Sequence, residues 1–479
     1  MRKWAKYLIL IVFVILTACG KPEAKYVFFF IGDGMGPVQV NAAERYLASI
    51  EGRDGLVPLA MNLAPVTGDI ATYSKSRYIT DSGAAVTALA TGNKTSNQTL
   101  SMDSDHRYPF KTIAEIAKER EMKIGVISTV DIDHATPAGY YAHQPKRSNY
   151  FEIGKELANS GFDFIGGGGF RQITDPDGID SVNIIDLAKK KGFVYINNST
   201  AFKYLEPGAG RVLFVHPAQS DEHSMPYSID MDEGCITLAQ ITQKAIDMLD
   251  NEEGFFIMIE GGKIDWACHA NDAATCIKDV LALDEAVKVA LEFYSKHKDN
   301  TLIIVTADHE TGGMTMGTSY GDNNLELSKL QWQTGSYGEL TKEYEQIRNG
   351  LINELGIEAV KADYSWAFDF LFLQTGLGDE SKGLGLNEYE RNELVKAYTR
   401  SFDEKNYSDH TEYIMYGSFD AFMITGFHML SRKAGIGWST FSHTGIPVPI
   451  RAFGAGAEKF GGYYDNTEVF DRLLEVMKK

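Results

Sequence analysis

Compact apolar runs alternate with helix-patterned segments along most of this chain. Tyr26 to Ile31 is an unbroken apolar run that ends in Gly32-Asp33-Gly34, the pattern of a strand buried on both faces. Comparable runs follow at Lys123 to Thr129, Phe162 to Ile165, Phe193 to Ile196, Val212 to Val215, Phe255 to Ile259, Leu302 to Val305 and Val448 to Phe453. Helical spacing of apolar positions predicts helices over Thr112 to Arg120, Ile184 to Lys191, Ile236 to Leu249, Ala274 to His297 and Val469 to Met477. Strands separated by helices predict an α/β fold, with a largely parallel central sheet and helices on both faces. In such folds ligands collect beyond the carboxyl ends of the strands.

The alternation lapses between Ser319 and Gly437. That stretch is more polar, with helical patterns at Leu340 to Leu355 and Tyr389 to Ser401 and glycine-rich breaks from Gly376 to Gly385. It reads as an inserted, mainly helical cap over 319–437, which divides the main domain into 25–318 and 438–479. The run Gly166-Gly167-Gly168-Gly169 reads as a flexible turn after a strand.

The first residues change the picture of where the chain works. Arg2, Lys3 and Lys6 precede an apolar run from Tyr7 to Leu16, followed by Leu16-Thr17-Ala18-Cys19. A basic start, a short apolar stretch and small residues before a cleavage point describe a secretory leader, too short to span a membrane. The cysteine after Leu-Thr-Ala resembles a bacterial lipoprotein box. The expectation is therefore a signal peptide over 1–18, a lipidated Cys19, a tether over 19–24, and a protein exported to the cell envelope and held at the membrane by its acyl chains. Net charge is −19, and −22 once the three cations of 1–18 are set aside. A surface this acidic argues against nucleic acid as a partner, so any anionic substrate must be attracted locally. Cys235, Cys268 and Cys276 remain, an odd count that allows at most one disulfide. Cys268 and Cys276 are close enough in sequence to pair, which spacing alone does not decide.

Candidate chemistry sits where the strands end. Asp33 follows the first, flanked by glycines; the spacing is G-x-G-x-G and not that of a dinucleotide site. Asp131, His134, Thr136, His143 and Arg147 follow the run at 123–129. Glu260, Asp265 and His269 follow the run at 255–259, the last two at helical spacing that puts both on one face. Asp308 and His309 follow the run at 302–305, and His443 precedes the last strand. Carboxylates mixed with imidazoles suit Zn²⁺, and an all-oxygen set suits Mg²⁺. Ser82 stands before the helix formers Ala84 to Ala90, at a helix N-terminus suited to a phosphate or an alkoxide. Asp81 or Ser82 could equally be a simple cap; a nucleophilic serine needs a base or a metal beside it.

Taken together, Ile31-Gly32-Asp33-Gly34-Met35-Gly36, Thr80-Asp81-Ser82-Gly83-Ala84, His134-Ala135-Thr136-Pro137-Ala138, Glu260-Gly261-Gly262-Lys263-Ile264-Asp265, Thr306-Ala307-Asp308-His309-Glu310-Thr311-Gly312-Gly313 and Ser442-His443-Thr444-Gly445 resemble the alkaline phosphatase family, in order from about residue 25 to the C-terminus. The resemblance implies hydrolysis of phosphate monoesters, with Ser82 becoming phosphoserine. It implies one Zn²⁺ on Asp265, His269 and His443 and a second on Asp33, Asp308 and His309. Asp33 would also reach a third site with Thr136 and Glu260, usually Mg²⁺, and Arg147 would clamp the phosphoryl group. A homodimer is compatible with it. Two positions depart from the best-known bacterial form: His134 stands in place of an aspartate and Trp266 in place of a lysine, both behind the ligands. They resemble a different subgroup and leave the third metal open, with Co²⁺ as a substitute. Phosphodiesterases, sulfatases and cofactor-independent phosphomutases share the architecture. Ser82 lacks the C/S-x-P-x-R setting of a sulfatase, and the Thr136–Glu260 pair favours monoesters over diesters.

Overall fold

The computed structural model describes residues 23–319, 324–403 and 410–477. The leader, Cys19 and most of the tether lie outside them. In chain order the strands are β1 (Tyr26–Gly32), β2 (Val66–Ala71), β3 (Lys123–Ser128), β4 (Phe164–Gly167), β5 (Phe193–Ile196), β6 (Arg211–Val215) and β7 (Phe255–Gly261). They continue with β8 (Thr301–Thr306), β9 (Glu310–Thr311), β10 (Thr315–Met316), β11 (Ile436–Gly437), β12 (His443–Thr444), β13 (Val448–Gly454) and β14 (Gly462–Asp465). Ten of them form one sheet in the order β14-β2-β13-β8-β1-β7-β3-β4-β6-β5. Only β13 runs against its neighbours, β2 and β8. The sheet is largely parallel, as the apolar runs predict, with helices packed around it.

The most apolar strand is central. Every residue of β1 is buried, and it pairs with β7 on one side and β8 on the other. In that register Glu260 lies opposite Ile31 and beside Ser128 of β3, so the strand ends level out at one edge. Gly166 and Gly167 depart from the expected turn: both finish β4. A Cβ at Gly167 would lie 2.2 Å from the Ser128 carbonyl oxygen, so the glycine is needed for close approach to β3. The strands that apolar runs do not reveal, β2 and β14, are together at one edge, where half-exposed polar positions suffice.

The five helices expected among the strands form within two residues of their predicted ends. Thr112 starts one of them with a capping box to Glu115. Between 327 and 434 the described residues are mostly helical, including Tyr337–Leu355 and Glu388–Arg400 at the two patterned stretches. These helices gather around Tyr344, stacked between Trp366 at 5.2 Å and Phe422 at 5.5 Å. Among the described residues, no helix is long and apolar enough to cross a membrane. Cys268 and Cys276 are buried thiols with sulfurs 3.4 Å apart, and Cys235 is also a thiol.

Candidate active site

Ser82 begins the helix Ser82–Thr91, and it is Asp81 that caps it, accepting from the Ala84 N–H at 3.0 Å. The cap leaves the serine hydroxyl to another task. Buried at the N-terminal end of the helix, Ser82 Oγ lies 3.3 Å from His309 Nε2. Asp81 does more than cap. Its second oxygen accepts from the Gln98 N–H at 3.0 Å and from Arg147 Nη1 at 3.3 Å, which anchors the guanidinium to the residue next to the serine.

Asp33 leaves β1 through a turn in which Gly34 has φ +70. A Cβ on Gly34 would come within 2.9 Å of the Asp265 backbone, so only glycine fits. Its N–H donates to Asp308 Oδ1 at 3.2 Å, tying the ends of β1 and β8 together. His309 Nε2 lies 3.5 Å from Asp33 and 3.3 Å from Asp308, all three fully buried. Asp265 and His269 share one face of the helix Lys263–His269, with His269 Nε2 3.3 Å from the carboxylate. His443 arrives from the far end of the chain because β12 pairs with β9, setting His443 against Thr311. Its ring stacks on His309 with centroids 3.7 Å apart, and its Nε2 is 3.2 Å from that of His269. In both His269 and His443 the Nδ1 faces a carbonyl, Phe441 O at 2.6 Å and Thr80 O at 2.9 Å. Each Nδ1 is thereby engaged, and each Nε2 is left facing the other side chains of the group.

Three groups result: Asp265 with His269 and His443, Asp33 with Asp308 and His309, and Asp33 with His134 and Glu260. Within each, the ligating atoms lie within 4.8 Å of one another. Thr136 joins the third by donating to Asp33 Oδ2 at 3.4 Å, and the Ser128 hydroxyl donates to Glu260. His134, expected behind the ligands, brings a ring nitrogen within 4.8 Å of the Asp33 and Glu260 carboxylates; its Nε2 meets Arg147 Nη2 at 2.8 Å while Nδ1 is buried without a partner. Trp266 stays behind, edge-on to His134 at 6.1 Å.

Burial, followed by repulsion from Asp308, Asp265 and Glu260, drives Asp33 well above the usual carboxylate range. Burial likewise carries Glu260 up to about 8 and Asp308 to about 7. Asp33 Oδ1, Glu260 Oε1 and Asp308 Oδ2 are buried and without hydrogen-bond partners. Buried carboxylate oxygens left this way are costly unless a cation meets them. The donor set therefore fits divalent metal: imidazole and carboxylate in two groups, mostly oxygen in the third.

Two supporting residues carried no signal of their own in the sequence. Thr311 Oγ1 donates to Asp265 Oδ1 at 2.5 Å and lies 3.2 Å from His309 Nδ1. Arg171 reaches Asp131 at 2.9 Å and lies 5.8 Å from the Trp266 ring, bracing the loop that carries His134. Thr311 falls two residues after His309, on the same face of an extended segment; Arg171 has no such marker.

The family model described as alkaline phosphatase matches residues 24–479. Alkaline phosphatase 4 of Bacillus subtilis is 29% identical over 469 residues, covering 96% of this chain and 90% of that protein. The cold-active alkaline phosphatase of a psychrophilic Shewanella superposes with a TM-score of 0.76 at 28% identity, covering 95% of this chain and 100% of that one. A histidine-to-aspartate variant of the TAB5 alkaline phosphatase, described with Mg bound in its M3 site, matches at 25% identity and TM-score 0.62, covering 95% of this chain and 99% of that one. The matched stretch runs through every strand end that supplies a residue to the three groups, and on that footing the chain belongs to the alkaline phosphatase family.

Proposed function

We propose that Ser82 is the nucleophile of this metal-dependent phosphomonoesterase, which works through a phosphoserine and releases inorganic phosphate and an alcohol. The observation that carries the assignment is the convergence on one hydroxyl of a helix N-terminus, His309 at 3.3 Å and an arginine anchored by the neighbouring Asp81. Arg147 presents two N–H groups to two phosphoryl oxygens and fixes the phosphorus in line with Ser82 Oγ. The Ser82 O–P bond forms as the ester P–O bond breaks, and the alcohol departs from the face opposite the serine. Water then enters on that face, cleaves phosphoserine and restores the hydroxyl. The first-turn N–H groups stabilise negative charge on the serine oxygen at the start and end of the cycle.

Asp265, His269 and His443 would hold one Zn²⁺, and Asp33, Asp308 and His309 a second. Asp33, Thr136 and Glu260, with His134 beside them, would hold Mg²⁺ or Co²⁺. Bound there, the metals supply positive charge that lowers the pKa of a coordinated hydroxyl or water and offsets charge on the transferring group. Magnesium in the M3 site of the TAB5 variant supports reading the third group as a magnesium site.

The leader pattern and Cys19 support an exported, lipid-anchored envelope protein, with 319–437 inserted as a cap into a domain made of 25–318 and 438–479. A homodimer belongs to the same reading, and light scattering of the purified protein tests it. Ser82→Ala should lower phosphate release from a monoester by roughly a thousandfold or more, as loss of a nucleophile does. Labelled phosphate should be trapped on the wild type alone. A variant that still turns over at the wild-type rate would overturn the assignment.

A further inference from the structure

A cavity of about 260 Å³ opens on the flank of the site and has no part in the chemistry described so far. His269 and Trp266 form its inner wall, so it begins where the active site stops. Tyr227, Tyr337 and Phe419 supply further aromatic surface, and Asp221 and Gly338 stand at its outer part. The position relative to the serine matters. Ser82 touches His309; His309 stacks on His443; His443 meets His269; and the cavity lies beyond His269. In-line displacement by Ser82 sends the departing alcohol away from the serine, and the cavity lies on the side of the site remote from it, beyond His269.

The walls are fixed before anything enters. The Lys263 ammonium lies 3.6 Å from the centre of the Tyr227 ring and 4.6 Å from that of Trp266, and it donates to Ser220 and Ser224. The Tyr337 hydroxyl accepts from the Asp420 N–H at 2.8 Å, and the Tyr337 ring meets Phe419 edge-on at 5.1 Å. Such rings offer edges and faces to another ring with little ordering cost. An apolar cavity of about 150 Å³ is enough for benzene, so this one takes one ring with room to spare. Asp221 is held by Lys342 at 2.6 Å, and no unpaired cation lines the cavity to recognise a second anion.

We infer that this cavity is a leaving-group subsite for monoesters whose alcohol carries a flat aromatic group. The inference rests on the functional reading above and names its substrate class. Gly338 provides the means to test it. It is in the first turn of the helix Tyr337–Leu355, and outside its own helix an added Cβ would meet the Asp221 carboxylate at 2.9 Å and the Ser336 hydroxyl at 3.9 Å. Gly338 and Asp221 both line the cavity, so Gly338→Phe adds a ring to that wall and displaces a partly exposed side chain.

The probes are benzyl phosphate and ethyl phosphate, whose alcohols differ in the ring and little in acidity. In the wild type kcat/KM should favour the benzyl ester, and equal values for the two esters would overturn the inference. In Gly338→Phe that preference should shrink by about tenfold or more, because ring contact and burial are both lost. Inorganic phosphate, which has no alcohol, should inhibit both proteins with the same constant. Phe419→Leu, which removes one wall without filling the space, should also shrink the preference and guards against misfolding of the first variant. An unchanged benzyl-to-ethyl ratio in both folded variants sinks this inference alone. A wild type that cleaves neither ester sinks the functional reading, and this inference with it.

Discussion

The two ends of the site carry their charge differently. At one, Asp265 stands among imidazoles. Burial opposes its ionisation, yet His269, His443 and His309 hold it well below the usual carboxylate range. Burial equally opposes a charge on His269, and Asp265 overcomes it to carry the ring up to about 9. At the other end Asp33, Glu260 and Asp308 face one another with orphaned oxygens and raised affinities for protons. Nearby cations do not settle them: burial and the neighbouring Arg147 keep His134 well below its ordinary value. The Asp265 end balances its own charge, whereas the Asp33 end must take up protons or a cation to do so. The same kinds of side chain thus build a group whose charges offset one another or one whose carboxylates repel, according to the ratio of carboxylate to imidazole.

The largest test of that contrast is Asp33→Asn, at the one carboxylate shared by two groups. Activity should fall by more than the roughly 10–100-fold typical of residues that only orient a ligand. Elemental analysis should show metal lost from two groups while the Asp265 group keeps its own. Full retention of metal would break the contrast. A smaller effect is expected at His134. Exchanging it for aspartate swaps a nitrogen donor for a hard oxygen beside Asp33 and Glu260, and Mg²⁺ binding should tighten by about tenfold or more. Titrating metal-depleted protein, wild type against His134→Asp, reads this directly. Identical Mg²⁺ and Co²⁺ curves would mean that His134 does not choose the ion.

The smallest effect sharpens the contrast away from the serine. His143 sits between Glu115 and Glu156, 3.5 Å from each, a balanced group with no metal. Burial opposes its charge, but hydrogen bonds from the ring to the two glutamates outweigh this and raise it from 6.5 to about 9. Its contribution to stability is therefore complete below pH 6.5 and disappears as pH rises through about 9. His143→Gln should cost roughly 2 kcal/mol at pH 6, allowing for partial exposure, and almost nothing at pH 10. Denaturant melts at the two pH values measure it. A cost that does not vary with pH would show that the imidazole acts through packing alone.

Much of this was legible from the residues. The eight apolar runs all became strands, and all but the edge strand β5 are largely buried on both faces, which demands apolar residues throughout. β2 and β14, at one end of the sheet, escape that rule: β2 alternates with exposed polar residues and β14 spans four residues, so neither stands out from a loop. The Asp265–His269 pairing followed from helical spacing alone. Ser82 was legible as an N-terminal residue, although the sequence did not say whether it or Asp81 was the cap.

The sequence by itself determined what happens within a few residues: which segments are strands, where they stop, and which polar side chains follow each stop. Those are local matters of periodicity and turn chemistry. Tertiary structure alone decided which of these side chains share a cation. Ser82 and His309 are 227 residues apart, and Arg147 finds Asp81 across 66. His443 reaches His309 through a ladder of two residues, β9 with β12, too short to leave a pattern. The balance of charge at each end was decided there too, since the affinity of a buried carboxylate for protons or metal depends on the neighbours that burial brings within a few ångströms.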